Sequence, residues 1–460
     1  MPQISDHDSS LVRTYLSPAH VKAAAQLHEW MSNAGLDATV DGLGNVRGRA
    51  EGVAAQPTLF TGSHYDTVID GGNFDGSLGI ISGIAAAKAL LLNAAVAKKL
   101  LTAEEVLGLP RDATGMLIVP EPARNATLLA RSLEVVGFAD EEGVRFQSTY
   151  LGSRALSGGL AASGALDARD ASGVSLRELL VQRGVSDAAE LAVGRGGALA
   201  YVEVHMEQGP VLEAAGARLA AVSGIAGQTR LGLTVRGEQG HAGTVPMPLR
   251  RDPVPAAAHI VAALERRCGG HAAKDSPTGL VCTVGTFQVW PGASNVIAGS
   301  VQLSLDIRSQ SDEERELVVQ DISQVVQDTC VERGLNCTIE LRHQAPAVHA
   351  DKAIVRKLAK AIEDSAPDVE RIVGRDERET AADGACAAEP GAPPPSVGPL
   401  VSGAGHDAAE MASVAPMGMI FVRCRGGVSH SPLEHVAPGD VAAGTVALAA
   451  FLEGELSADA

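Results

Sequence analysis

The chain has 460 residues, of which 45% are hydrophobic and 20% charged, a composition typical of a soluble protein with two or three domains. Its formal net charge of −18 at pH 7 argues against nucleic acid or an anionic membrane surface as a partner, because both attract basic protein faces. Clusters of acids also bind cations, so the charge does not count against a metal site.

The N-terminal residues show no basic stretch followed by an apolar one, which is the pattern of a signal peptide. No apolar run approaches the roughly 20 residues that span a bilayer, so no membrane association is expected. The six cysteines form no CxxC pair and are expected to be reduced, structural thiols. We therefore expect a cytoplasmic protein, with the endoplasmic reticulum as the alternative if the natural N-terminus extends further.

The first part of the chain alternates helices and strands, which predicts an α/β sheet. A helix is predicted from the cap signal Ser17-Pro18 to Gly35, followed by a hairpin in "DATVDGLGNVRGRA". The stretch "PTLFTGSHYDTV" predicts a buried strand that enters a polar loop, and "GSLGIISGIAAAKALLL" predicts an apolar helix after it. Two more strands, "SLEVVGFADEEG" and "ALAYVEVHMEQGPVLE", end in acids or histidine, whereas residues 93–130 suggest no clear element. This succession predicts a site at the strand ends.

The pattern changes at residue 227. From there to residue 344 the predicted elements follow the order βαββαβ, with helices over Pro253–Arg267 and Glu313–Glu332, which indicates a small ferredoxin-like insert. Residues 1–226 and 345–460 then form the two parts of the main domain. Within the second part, residues 376–400 are of low complexity and are predicted to be a loop.

The predicted strand ends deliver side chains of the kind that bind metal ions: His64, Asp75, Glu141, Glu142, His205 and His430. Imidazole and carboxylate ligands suit Zn²⁺, Mn²⁺ or Co²⁺. Two ions a few ångströms apart need a bridging carboxylate and can share one attacking water.

His64 and Asp66 are two residues apart, hence on one face of an extended strand, so Asp66 is expected to orient the His64 imidazole. Each of these features alone is weak evidence. A single histidine at a strand end is more often structural, and aspartate in a glycine-rich loop usually serves the turn. Their joint occurrence at successive strand ends favours a metal site.

Several motifs together resemble the amidase/carbamoylase branch of the M20 metallopeptidase-like family: "GSHYDTVIDGGNFDGSLG", "FADEEGVRF", "VEVHMEQGPVLE", "GHAGTVPMPLRRD", "SNVIAGSVQLSLDIRS" and "GGVSHSPLEH". The resemblance extends from about Arg13 to Leu452, and within the branch it is strongest to members of plant and green-algal type that act on allantoate. It implies a three-layer α/β/α catalytic domain and an inserted ferredoxin-like α+β lid, through which two subunits form a homodimer. It also implies two divalent ions per subunit, with Mn²⁺ favoured and Zn²⁺ or Co²⁺ as alternatives.

The resemblance further implies a role for each matching residue. Asp75 would bridge both ions, and Glu141 would act as general base. The remaining ligands would be His64, Glu142, His205 and His430, and the substrate contacts would be Gln208, His241, Asn295 and Arg308. Adjacent side chains on an extended strand point apart, so Glu141 and Glu142 need a bend there, which Gly143 can supply.

Two roles have independent chemical support. Arg308 suits bidentate capture of a substrate carboxylate, and His241, in a flexible loop, could stabilise the oxyanion as the lid closes. His406 could contact substrate or cap a helix, and both alternatives stay open.

The implied reaction is hydrolysis of the ureido C–N bond of allantoate to ureidoglycine, ammonia and CO₂. Glu141 would activate a water held between the metals. Ureidoglycolate or an N-carbamoyl amino acid is the nearest alternative substrate. An inactive metal-binding scaffold is a different class, which the intact Glu141 disfavours, and an aminopeptidase is disfavoured by "HMEQGP".

Overall fold

The computed structural model describes two compact units of the chain. The first comprises Met1–Ser223, Ala350–Leu400 and His406–Ala460, and the second comprises Gly224–His349 and Val401–Gly405. The predicted insert, residues 227–344, falls within the second unit. The structure describes residues 1, 3–194, 196–269, 278–380 and 397–457, with the side chains of 374–380 excepted.

Both units are built from strands and helices, which are numbered in chain order. The strands are Asp37–Val40 (β1), Val46–Ala50 (β2), Gly52–His64 (β3), Leu129–Phe138 (β4), Ala198–Met206 (β5), Leu219–Ile225 (β6), Gly227–Arg236 (β7), Gly240–His241 (β8), Val281–Trp290 (β9), Val296–Ile297 (β10), Ser300–Ser309 (β11), Asn336–Ala345 (β12), Val348–His349 (β13), Leu400–Ser402 (β14) and Met417–Val422 (β15). The helices are Pro18–Asn33 (α1), Ser77–Ala97 (α2), Ala103–Leu107 (α3), Glu121–Arg124 (α4), Leu151–Ser157 (α5), Leu176–Gln182 (α6), Val211–Ala215 (α7), Pro253–Gly269 (α8), Asp312–Glu332 (α9), Lys352–Thr380 (α10), Asp407–Met411 (α11) and Pro438–Leu456 (α12).

In the first unit, seven of these strands lie side by side in the order β1-β2-β4-β3-β5-β15-β6. β3 runs parallel to β4 and β5, and β15 runs parallel to β5, so four neighbouring strands point the same way. β1, β2 and β6 continue the sheet as antiparallel strands. The carboxyl ends of parallel strands meet at one edge of a sheet, so the loops after β3, β4, β5 and β15 begin side by side.

Two helices of the first unit show how the local sequence determines where a helix begins and how it packs on the sheet. Helix α1 begins after Ser17, whose side chain accepts a hydrogen bond from the His20 backbone N–H, as the cap signal predicts. Helix α2 is the one described helix that is long and apolar enough to span a bilayer, which corrects the expectation that no apolar run approaches that length. Since 61% of its most apolar window is buried, α2 is a core helix that packs on β3, β4 and β5.

The second unit has a four-stranded antiparallel sheet in the order β12-β7-β11-β9, with helices α8 and α9 packed on it. β11 alternates strictly, with Val301, Leu303, Leu305 and Ile307 buried and the residues between them more exposed. One face of the sheet therefore forms the core with the helices. The predicted α/β fold class with an additional α+β unit in the order βαββαβ is confirmed.

The prediction of six reduced cysteines is wrong for four of them. Disulfides join Cys268 to Cys282 and Cys330 to Cys337, with Cα–Cα distances of 6.0 Å and 6.3 Å, and Cys424 is free and buried. In each pair a helix end is joined to the beginning of the next long strand of the same sheet. Chain spacing alone did not reveal this proximity, because it arises from how the helix packs on the sheet.

Two segments differ from their predictions. The low-complexity loop was predicted over 376–400, but helix α10 continues to Thr380, Leu400 begins β14, and residues 381–396 lie outside the described part of the chain. Residues 93–130, which suggested no clear element, contain the end of α2, the short helices α3 and α4 and the start of β4.

Candidate metal centre

The predicted ligands lie at the edge of the first unit's sheet where its parallel strands end. His64 is the last residue of β3, and His205 lies near the end of β5. Glu142 follows β4, and His430 follows β15. The parallel order β4-β3-β5-β15 therefore brings together residues that are far apart in the chain.

Asp75, in the loop between β3 and α2, lies at the centre of these side chains. Its Oδ1 atom is 3.4 Å from His64 Nε2 and 3.2 Å from His205 Nε2. Its Oδ2 atom is 3.2 Å from His430 Nε2, which is itself 3.3 Å from Glu142 Oε1. We refer to His64, Asp75 and His205 as the buried ligand group, and to Asp75, Glu142 and His430 as the rim ligand group. In each group the candidate ligand atoms lie within 4.8 Å of one another.

The buried ligand group fits a divalent cation. The Nδ1 atoms of His64 and His205 lie 3.2 Å and 2.9 Å from the backbone oxygens of Asp66 and Met206, so each Nδ1–H donates there. Both Nε2 lone pairs then face the carboxylate of Asp75, and His205 Nε2 is buried without a hydrogen bond among the described residues. The two Nε2 lone pairs and the negatively charged carboxylate repel one another unless a cation or a proton lies between the histidines and Asp75.

The electrostatics of the centre agree with this interpretation. Burial alone would lower the pKa of His64, but its contacts with Asp66 and Asp75 raise that pKa well above the usual value. Contacts with Asp75 and Glu142 raise the pKa of His430 to about 10. Burial opposes ionisation of Asp75, yet the three neighbouring histidines hold its pKa well below the ordinary range. The carboxylate charges that raise the pKa values of the two histidines would favour a divalent cation at the same place.

Asp66 contacts both the histidine and the acid pair. One of its carboxylate oxygens lies 3.4 Å from His64 Nδ1. The two oxygens accept the backbone N–H groups of Glu141 and Glu142, at 3.0 Å and 3.1 Å. Gly143, with φ of 67°, adopts the left-handed conformation that the predicted bend requires. Asp66 thus fixes the backbone of the acid pair, a contact that the spacing of residues in the sequence did not indicate.

Glu141 is buried, and its carboxylate lies within 4.8 Å of candidate ligand atoms of His64 and Glu142. Burial raises its pKa well above the usual value, and the neighbouring Glu142 adds to this while His64 opposes it. A buried carboxylate beside candidate metal ligands is placed to take a proton from an attacking water, as a general base does.

Gln208, predicted to contact substrate, lies against Asp75 in this structure. Its Nε2 donates to Asp75 Oδ2 at 3.1 Å and to Ser429 Oγ at 2.9 Å, and Ser429 Oγ donates to Asp75 Oδ2 at 3.1 Å. Gln208 has φ of 57°, a conformation uncommon outside glycine that aims its side chain into the site. Ser429 was not predicted, although it directly precedes a predicted ligand.

Sequence reasoning missed several buried acids beside the centre. Glu203 accepts hydrogen bonds from Ser63 Oγ, Tyr201 OH and the Ala408 backbone N–H. Two further buried carboxylates, Asp140 and Asp407, have raised pKa values because of burial and nearby acids. Glu203 stands two residues before His205 on the same face of β5, which was the available signal. The ring of His406, whose role was left open, packs 4.4 Å from that of His205.

The other predicted substrate contacts belong to the second unit. His241 pairs with Val296 across β8 and β10, next to Asn295, whose backbone oxygen accepts the Ala242 N–H.

Arg308 donates to both carboxylate oxygens of Asp306, at 2.9 Å and 3.0 Å, and to the Gly403 oxygen at 2.7 Å. A cavity of about 750 Å³ lies on the open face of this sheet, lined in part by Arg230, Asp306, Arg308 and Arg342. The roles of His241, Asn295 and Arg308 in substrate binding stay predictions.

Comparison with known proteins shows which family the chain belongs to. The model of peptidase family M20/M25/M40 matches residues 113–454. The chain belongs to this family. Allantoate deiminase 2 of Glycine max is 41% identical to this M20 protein over 98% of the chain and 86% of the relative. An N-carbamoyl-L-amino-acid amidohydrolase of Pseudomonas sp. (strain NS671) is 33% identical over 96% of the chain and 92% of the relative.

A solved structure agrees with the family. The amidase of the hydantoinase/carbamoylase family from Burkholderia multivorans superposes with a TM-score of 0.76 at 28% identity, covering 98% of this chain and 94% of its own. This M20 protein is therefore a hydrolase of C–N bonds in the branch that contains allantoate deiminases and carbamoyl-amino-acid amidohydrolases. Its clustered histidines and carboxylates are compatible with divalent metal ions.

Proposed function

We propose that this M20 hydrolase cleaves the ureido C–N bond of allantoate, giving ureidoglycine, ammonia and CO₂ with the consumption of one water. The observation that carries the proposal is Asp75, whose two carboxylate oxygens face two separate ligand groups. The 41% identity to the Glycine max allantoate deiminase supports this choice of substrate.

We propose two divalent ions per subunit, with Mn²⁺ favoured, held by the buried and the rim ligand groups. Asp75 would contribute one oxygen to each. When bound, the ions would lower the pKa of an attacking water and polarise the ureido carbonyl. The donor set of imidazole and carboxylate is compatible with Mn²⁺, Zn²⁺ or Co²⁺.

The residues of the chain would handle the proton. Glu141 would take a proton from the attacking water and return it to the leaving nitrogen, and its raised pKa suits both transfers. Asp66 would keep Glu141 and Glu142 turned toward one site through its two backbone hydrogen bonds. The proton therefore stays on one carboxylate between bond attack and bond cleavage.

Arg308 is proposed to bind the substrate carboxylate, with Asn295 and Gln208 as further contacts and His241 as the oxyanion donor. The guanidinium of Arg308 uses three of its five N–H donors on Asp306 and Gly403 among the described residues, which orients it and leaves two donors. A substrate carboxylate would accept from the remaining N–H groups.

We further propose a homodimer formed through the second unit. Its edge strand β9 carries exposed apolar side chains, including Phe287 and Trp290, and exposed strand edges with apolar residues pair readily with a second copy. Light scattering coupled to size exclusion would give twice the monomer mass if this holds.

Ammonia release tests the substrate. The chain is stripped with a chelator, restored with Mn²⁺ and assayed on allantoate, ureidoglycolate and N-carbamoyl-L-amino acids. Release from allantoate above all others is expected. The likeness to the Pseudomonas amidohydrolase favours the carbamoyl amino acids as the second candidate, and preferential release from those would replace the proposed substrate.

A further inference from the structure

Glu434 contacts the loop that carries Asp75. The residue lies in the stretch "SHSPLEH" after β15, and its side chain is almost fully buried, with 4% of the residue exposed. Its Oε1 atom accepts the backbone N–H groups of Phe74 and Asp75, at 2.7 Å and 2.9 Å. A carboxylate that accepts two backbone N–H groups side by side fixes the local peptide planes, since charged acceptors make the stronger hydrogen bonds.

Gly72 makes room for this contact. A Cβ atom at position 72 would lie 2.3–2.4 Å from the Cβ, Cδ and Oε1 atoms of Glu434, which is far inside van der Waals contact. The Glu434 side chain therefore reaches the Asp75 backbone only because residue 72 lacks a side chain. Two residues 362 positions apart, by the numbering of the chain, are matched to each other.

The segment that carries Glu434 also carries part of the rim ligand group. His430 Nε2 and Ser429 Oγ contact Asp75 Oδ2 at 3.2 Å and 3.1 Å, while Glu434 holds the backbone of the same aspartate. The Glu434 backbone N–H donates to the Ser431 oxygen at 3.0 Å, which ties the segment into a turn. One short segment thus contacts the backbone and the carboxylate of Asp75 together.

We infer that Glu434 is a positioning residue that fastens the Asp75 loop to the His430 segment, so that the side chains of Asp75 and His430 meet the same cation. This inference rests on the proposed metal centre. Asp75 is the residue shared by both ligand groups, and rotation of its peptide would move both of its oxygens. Residues that orient a metal ligand typically change metal affinity about 10- to 100-fold when they are replaced.

The test is metal binding by the stripped full-length chain, titrated with Mn²⁺ in a calorimeter and with Co²⁺ by its visible absorption spectrum. Glu434→Ala is expected to weaken cation binding about 10- to 100-fold and to change the Co²⁺ spectrum. Glu434→Gln keeps an oxygen that accepts both N–H groups and is expected to stay close to wild type. Gly72→Ala retains the Glu434 residue but displaces its side chain, because the added Cβ would lie 2.3–2.4 Å from it, and this variant is expected to resemble Glu434→Ala.

Asp351→Ala is the matched control, because the Asp351 carboxylate also accepts two backbone N–H groups, those of Ala353 and Ile354, at the start of α10. It is expected to leave the Mn²⁺ affinity unchanged. Wild-type affinity and spectrum in both Glu434→Ala and Gly72→Ala would overturn the inference alone. A wild-type chain that binds no divalent cation would overturn the proposed metal centre, and this inference with it.

Discussion

The two ligand groups that share Asp75 are held in different ways. His64 and His205 lie at or next to the ends of neighbouring strands of the sheet and are 2% and 1% exposed, so strand pairing sets their spacing. Glu142 and His430 lie in loops, and the His430 side chain is 52% exposed. The sheet therefore organises the buried group, whereas backbone hydrogen bonds accepted by the Asp66 and Glu434 carboxylates organise the rim group and its shared aspartate. Single substitutions of Asp66 or Glu434 should therefore disturb the geometry of the rim group most.

The largest effect is expected at Glu141, which we place in neither ligand group. Glu141→Gln keeps the shape of the side chain but removes the base, so ammonia release from allantoate should fall about 10³-fold. Binding of Mn²⁺ to the same variant, measured by calorimetry, should remain. Retained turnover would assign the base to another residue, and joint loss of turnover and Mn²⁺ binding would make Glu141 a ligand.

Asp66 connects the two groups, since it contacts His64 and holds the acid pair. In Asp66→Asn one carboxylate acceptor becomes an N–H₂ donor that faces a backbone N–H. We expect kcat for ammonia release to fall about 10- to 100-fold with little change in KM, because Glu141 and Glu142 lose their alignment. A change confined to KM would contradict this assignment and would place Asp66 among the substrate contacts.

The support behind the buried group should be sensitive to acid. Burial lowers the pKa of His20 to about 4, and its ring stacks on Tyr65, the residue after His64. In the unfolded chain this histidine has a pKa of about 6.5, so between about pH 6.5 and pH 4 the unfolded chain binds a proton that the folded chain does not bind. The free energy of unfolding therefore decreases as the pH falls from about 6.5 towards 4.

This loss can be measured by chemical denaturation of the stripped chain. Between pH 7 and pH 4.5 the free energy of unfolding should fall by about 2 kcal/mol more in wild type than in His20→Gln, which does not titrate in this range. The Gln side chain can still donate to the Ala139 oxygen that His20 Nε2 contacts at 2.6 Å. If the free energy of unfolding depends equally on pH in the two proteins, His20 is not the group whose protonation destabilises the fold.

The difference between the two groups is tested by His205→Ala against His430→Ala. The buried group lies in a medium of low dielectric constant, where each ligand interacts more strongly with a cation than at the exposed rim. Loss of His205 should therefore weaken the tighter Mn²⁺ site on the order of tenfold more than loss of His430 weakens the other. His259→Ala, at an exposed position of α8, serves as the control, and equal losses in both sites would remove the distinction.

Local sequence patterns predicted the elements that carry the site. Alternation and apolar periodicity indicated β3, β4, β5 and the βαββαβ order of the second unit, because those patterns record which face is buried. Most of the predicted ligands were recognisable because they lie at the ends of those strands or in the loops after them. Whether Asp75 binds one ion or two, and whether Glu141 is the base, stay predictions.

The sequence could not show contacts between distant segments. Glu434 accepts the Asp75 N–H across 359 residues, and nothing in "SHSPLEH" distinguishes that glutamate from a solvated one. Asp66 looked like a partner of His64 alone because its bonds to Glu141 and Glu142 depend on the pairing of β3 with β4. The disulfides and the extent of α10 likewise depend on packing, which local patterns do not record.

The chain order of these contacts has a consequence for biosynthesis. β15 inserts between β5 and β6 although it comes after both in the chain, and the segment with His430 and Glu434 follows it. Until the ribosome has made that segment, the nascent chain can carry His64, Asp75 and His205 but lacks the contacts that hold Asp75 in place. We therefore expect the cation to be acquired only after that segment has been made and has folded, and chains truncated before residue 430 to accumulate without metal.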